Sequence, residues 1–133
     1  MRSDTQTATI DAAPKDVVAF VGQVDNLPRW AIGFAKAVRR DENRWTVTTG
    51  QGEVAITIEV DETVGTVDFH LEPAPGVEAV AFARVVPNGD GPEFMFTQFQ
   101  QPGVDDDTFD QLVAAVSHDL VTLKAVLEVE CPL

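Results

Sequence analysis

The chain has 133 residues, 44% of them hydrophobic and 23% charged, with a formal net charge of −13 from 22 acidic and 9 basic side chains. That length suits one domain spanning residues 1–133, the balance is globular rather than disordered, and a chain of this size buries roughly two-thirds of its unfolded surface. So acidic a surface repels phosphate backbones and anionic bilayers, which excludes nucleic acid and membrane surfaces as expected partners and otherwise argues for solubility alone.

The single cysteine, Cys131, stands two residues from the end and cannot form an internal disulfide. Met1 to Ile10 is polar, without the apolar core of a signal peptide. No apolar run approaches the ~20 residues of a membrane helix. The expectation is a cytoplasmic protein.

In chain order, Thr5 to Ile10 is rich in β-branched residues and reads as a first strand. Pro14 suits the first turn of a helix, and Val17, Phe20, Val21 and Val24 recur at helical spacing, predicting a helix from Pro14 to Val24. Asp25 and Asn26 are candidate caps for a second short helix over Leu27 to Ile32, ended by Gly33.

From Phe34 to Gln101 the period changes to two, and about six strands follow. They are Lys36–Arg40, Arg44–Thr49, Glu53–Val60, Gly65–Leu71, Glu78–Val86 and Glu93–Gln100. The turns between them are too short for helical crossovers, so the sheet is antiparallel. Pro87-Asn88-Gly89-Asp90-Gly91-Pro92 predicts the turn before the last strand.

Asp105 is the expected cap of a final helix, with Asp106, Asp107 and Asp110 at its positive end. Phe109, Leu112, Val116, Leu120, Leu123 and Leu127 form a stripe of about five turns ending near Glu130. Such a stripe needs a large apolar partner, and a curved sheet is the one available. A bent sheet cannot touch one helix along its whole surface, so some apolar area faces a void or a ligand.

This order of elements resembles the START-like, or helix-grip, superfamily, which includes small bacterial polyketide cyclase/dehydrase-like proteins. The resemblance is carried by Ile10-Asp11-Ala12-Ala13-Pro14 leading into Val17, by Trp30, and by Leu123-Lys124 with Leu127-Glu128. The stretches Arg84 to Gly91 and Phe96 to Gly103 carry it further. It covers nearly the whole chain. It implies an α+β helix-grip fold: a curved seven-stranded antiparallel sheet around a long C-terminal helix, with two short helices between the first two strands. It also implies a pocket for an apolar or aromatic molecule, with Trp30 near its mouth, but no single reaction.

The candidate lining residues are Trp30, Phe34, Trp45, Ile56, Ile58, Phe69, Phe82, Phe94 and Phe96. Each also reads as ordinary core filling. Arg84 shares a face with Phe82. If that face is inward, Arg84 is a buried cation awaiting an anionic partner; if Ala79, Ala81 and Ala83 point inward instead, Arg84 is exposed. The same choice divides Phe94, Phe96 and Gln98 from Met95, Thr97 and Phe99. His70 is the natural general base by its titration range, but Val67, Phe69 and Leu71 read as the inward set and send it outward. His118 lies off the helix stripe.

No ligand spacing for a metal is present, and no cofactor is expected. Asp105 to Asp107 lacks the pattern of a calcium loop, Gly50-Gln51-Gly52 is too short for a phosphate loop, and Ser3 and Ser117 sit in no nucleophile motif. The leading expectation is binding or carriage of a small apolar or aromatic molecule. The first alternative is a cyclase or dehydratase on a ketide-like substrate, with His70 and Arg84 as proton-transfer and enolate-stabilising groups. The second is a protein-interaction module. A homodimer stays open.

Overall fold

A computed structural model describes residues Met1–Leu133. Strand β1 covers Ser3–Thr9, helix α1 Pro14–Val21, and a short helix α2 Leu27–Trp30. Strands β2 to β7 then run Ala37–Asp41, Arg44–Thr49, Gly52–Asp61, Thr66–Ala74, Val77–Asn88 and Gly91–Phe99. Helix α3, Asp106–Glu130, closes the chain.

All seven strands form one antiparallel sheet in the order β1-β7-β6-β5-β4-β3-β2. Consecutive hairpins build β2 to β7, and β1 returns beside β7, so the first and second strands are the two edges. Between them run α1 and α2, and α3 lies across the sheet. The fold is the helix grip that the element order predicts.

Helix α1 ends at Val21, three residues earlier than its periodicity suggests, because Gly22 takes the C-cap and presses on Val60. A Cβ at Gly22 would stand 2.7 Å from Val60 Cγ2. Val24–Asn26 forms a separate 3-10 turn instead. Helix α2 has only four residues and no side-chain cap, and it stops at Ala31 rather than at Gly33.

The Pro87 to Pro92 segment is mostly strand rather than turn. Pro87 pairs with Pro92 and Asn88 with Gly91, which leaves Gly89-Asp90 as a two-residue loop. Strand β5 begins at Thr66, opposite Arg84, so Pro87 lies beyond the end of that neighbour and its missing N–H costs no ladder bond. Pro92 turns its carbonyl to Ile10 N–H at 3.2 Å.

Register decides the faces of the sheet. Phe69 stands opposite Ala81 and Val67 opposite Ala83, while Ala83 also faces Phe96 and Val85 faces Phe94. Large side chains therefore flank small ones on the concave side, and Ala79, Ala81, Ala83 and Val85 form the inward row of β6.

The packed core lies at one end of the grip. There Val17 and Val21 of α1 meet Val67, Phe94, Leu123 and Leu127, all 0% exposed. Asp105 caps α3 by accepting Thr108 N–H at 2.8 Å, which holds its carboxyl below the usual range. Arg2 ties β1 to the same end of α3 through Asp106 and Asp110, with its guanidinium 4.9 Å from the Phe109 ring.

Candidate functional site

The two halves of α3 have different neighbours. Leu120, Leu123 and Leu127 are buried in the core, whereas Leu112 is 41% exposed and borders a cavity together with Ala115, Val116 and Asp119. The cavity holds about 210 Å³. Its floor comes from β4 to β7 through Ile56, Phe69, Leu71, Ala79, Ala81, Phe96 and Gln98, and its rim from Leu27, Trp30, Ala31, Gly33 and Phe34. Fifteen of its 19 lining residues are hydrophobic, which marks it as the place an apolar molecule would leave water for.

A second concavity, of about 700 Å³, runs past Gln23, Arg44, Trp45, Ile58, His70 and Glu78. Only 7 of its 17 lining residues are hydrophobic, so it is a solvent trough with little to offer an apolar guest. Its size does not outweigh its chemistry.

The structure places Trp30, Phe34, Ile56, Phe69 and Phe96 together around the smaller cavity. Phe69 and Phe96 stack at a tilt, 5.9 Å between centroids. Trp30 is 3% exposed and meets Phe94 edge-on at 6.2 Å. Phe94 itself is wholly enclosed in the core. Trp45 and Ile58 border the polar trough, and the Arg40 guanidinium lies 5.7 Å above the Trp45 ring.

Phe82 and Arg84 are corrections. Both point to the convex face, because the alanine row of β6 takes the concave one. Phe82 is 41% exposed and packs edge-on against Phe99 at 6.0 Å. Arg84 is exposed and stands across from Met95.

His70 also lies outside the cavity. Its Nδ1 is 2.9 Å from Glu78 Oε1 and its Nε2 3.5 Å from Glu59 Oε2. The second contact lacks hydrogen-bond geometry, since Nε2 is buried without a partner. The Glu78 hydrogen bond, aided by the charge of Glu59, raises the imidazole pKa above its ordinary 6.5. The arrangement fastens neighbouring strands and delivers no base to the cavity.

Asp119 is the polar group that sequence reasoning missed. It is 4% exposed, and its Oδ1 accepts Gly33 N–H at 3.0 Å. Burial pushes its carboxyl pKa up, opposed by that N–H and by the charges of His118 and Lys36. Gly33 fits because a Cβ there would come 2.9 Å from Ala115 Cβ. The signal was present in the sequence: Asp119 is three residues after Val116 and four before Leu123, within the apolar stripe.

Trp30 Nε1 and Gln98 Nε2, from two other lining residues, are buried without hydrogen-bond partners. Within the cavity wall the Asp119 carboxylate, the Trp30 N–H and the side-chain amides of Gln98 and Gln101 thus interrupt a predominantly apolar surface. No group of three or more His, Cys, Asp or Glu side chains has the arrangement of a metal site.

An antiparallel sheet gripping a long C-terminal helix over an apolar hollow defines a START-like fold, and solved structures share it. The chain superimposes on a START superfamily protein from Mycobacterium smegmatis with a TM-score of 0.69, at 13% identity over 95% of this chain and 97% of that one. The Aha1 dimer from Colwellia psychrerythraea gives 0.75, at 14% identity over 97% and 98%. The di-domain ARO/CYC protein BexL, from a biosynthetic pathway, gives 0.71 at 22% identity, with 98% of this chain covering 48% of that one. No family model and no curated protein matches the sequence.

Proposed function

We propose that the protein binds a small, largely apolar one- or two-ring molecule between α3 and the sheet. The observation that carries this reading is the 210 Å³ cavity with its predominantly hydrophobic wall. A void of ~150 Å³ lined by aliphatic and aromatic side chains takes up benzene, whereas drug-sized ligands occupy ~300 Å³ or more. The volume therefore favours a compact guest over a long ketide chain or a lipid.

Val116→Trp tests the reading. Val116 lies on the cavity wall and is partly buried, so an indole there fills the hollow. Naphthalene binding, followed by changes in protein NMR shifts, is expected for the parent chain and lost in the variant, with the melting temperature held or raised. Absence of uptake by the parent, or uptake indifferent to the added indole, overturns the reading. Mass spectrometry of an organic extract from purified protein identifies any natural guest.

A cyclase or dehydratase reading draws support from the likeness to BexL. In that reading His70 and Arg84 lose their assigned roles, because neither reaches the cavity, and Asp119 is the one carboxylate on its wall. Turnover of a short ketide that survives Asp119→Asn would count against it.

A further inference from the structure

We propose that Asp119 is the specificity-determining residue of this cavity, accepting a hydrogen bond from an uncharged hydroxyl on the guest and excluding carboxylates. The proposal rests on the cavity reading above and adds the guest's chemistry to it.

The wall contains one acidic side chain and no Lys, Arg or His. The basic groups that act on Asp119, His118 and Lys36, are both exposed, and Lys36 Nζ lies 3.5 Å from Ile32 carbonyl oxygen. An anionic guest would therefore meet a carboxylate in a low-dielectric enclosure with no internal cation to offset it, and like charges so placed cost too much to coexist. A neutral guest avoids that penalty.

The wall also specifies where polarity belongs on the guest. Gly33 N–H occupies Asp119 Oδ1 and fixes the carboxylate in place, leaving the second oxygen free to accept. Trp30 Nε1–H and the Gln98 amide are donors buried without partners, and an unsatisfied buried donor is costly. A hydroxyl group gives one hydrogen, which the free Asp119 oxygen can accept, and keeps two lone pairs for donors of the wall, where the Gln98 and Gln101 amides can donate as well as accept. An ether supplies the acceptor only, and a hydrocarbon supplies neither.

Four two-ring probes of related shape separate the possibilities: naphthalene, 2-naphthol, 2-methoxynaphthalene and 2-naphthoate, each titrated calorimetrically into the full chain. The parent is expected to bind 2-naphthol about tenfold or more tighter than the methyl ether, in line with a hydrogen bond to a charged acceptor. Binding of 2-naphthoate is expected to be weakest.

Asp119→Asn keeps the side-chain shape and an oxygen for Gly33 N–H, but turns the free acceptor into a donor. It should shrink the preference for 2-naphthol over the ether to twofold or less and improve 2-naphthoate binding relative to naphthalene. Equal affinity of the parent for naphthol and ether overturns the proposal while leaving the cavity reading intact. So does a naphthol preference that survives Asp119→Asn. The parent comparison needs no variant, so a misfolded Asp119→Asn leaves the test standing. Failure of all four probes to bind overturns the cavity reading and this proposal with it.

Discussion

His70 shows how one side chain can look catalytic and serve as a fastener. Its imidazole sits between Glu78 and Glu59 on the convex side of the sheet, and hydrogen bonding to Glu78 raises its pKa. A folded-state pKa above the unfolded value means the folded chain holds the proton more tightly. The resulting stabilisation is complete below the ordinary histidine value of 6.5 and is lost as pH rises through the folded pKa. Denaturant midpoints taken from pH 6 to 9 should therefore converge between the parent and His70→Asn at the alkaline end, with the parent more stable at the acid end. A stability difference that stays constant across that range would contradict the assignment. The contribution is modest, because the imidazole is 29% exposed and both glutamates are mostly in water.

At the scale of elements, α3 divides its work along its length. Leu123 is 0% exposed among core side chains, so Leu123→Ala should cost about 2–5 kcal/mol through lost burial and the cavity left behind. Leu112, at 41% exposed, borders the hollow, and its replacement by alanine should cost well under half as much. Chemical denaturation of both variants checks the pair, and comparable losses would contradict the division.

Sequence periodicity could not see that division, since both leucines occupy the same stripe. It did give the stripe, the Asp105 cap and all seven strands, because alternation and capping are local properties. The boundaries of α1 and α2 were misread where a tertiary contact intervened, as at Gly22 against Val60. The face of β6 was undecidable for a similar reason. Ala79-Val80-Ala81-Phe82 alternates in either register, and only the pairing of Phe69 with Ala81 settles which side is inward. Of the proposed lining residues on strands, Ile56, Phe69 and Phe96 border the cavity, whereas Trp45 and Ile58 border the polar trough, because knowing which face a side chain takes does not say how far along the sheet the hollow extends. Phe82 and Arg84, whose face the alternation left open, point away from it. Asp119 was overlooked because hydrophobic periodicity counts apolar positions and is silent about a carboxylate set among them.

At the scale of the molecule, the charge of −13 is a standing repulsion. The few exposed ion pairs, such as Arg39 with Asp41 and Glu53, offset little of it. Added sodium chloride screens both, but surplus repulsion outweighs pair attraction, so the melting temperature should rise between about 0.01 M and 0.5 M salt. A fall over that range would mean that the pairs dominate. No helix is long and apolar enough to cross a membrane.

Of the inward row of β6, Ala79 and Ala81 line the hollow, and Ala115 lines it from α3. Because each of these positions contributes only a methyl group, the capacity of the hollow is held by a few of the smallest side chains in the protein, away from the leucines that keep α3 in place. Evolution or design could therefore resize the chamber by exchanging single alanines, altering which guests fit while the scaffold stays folded.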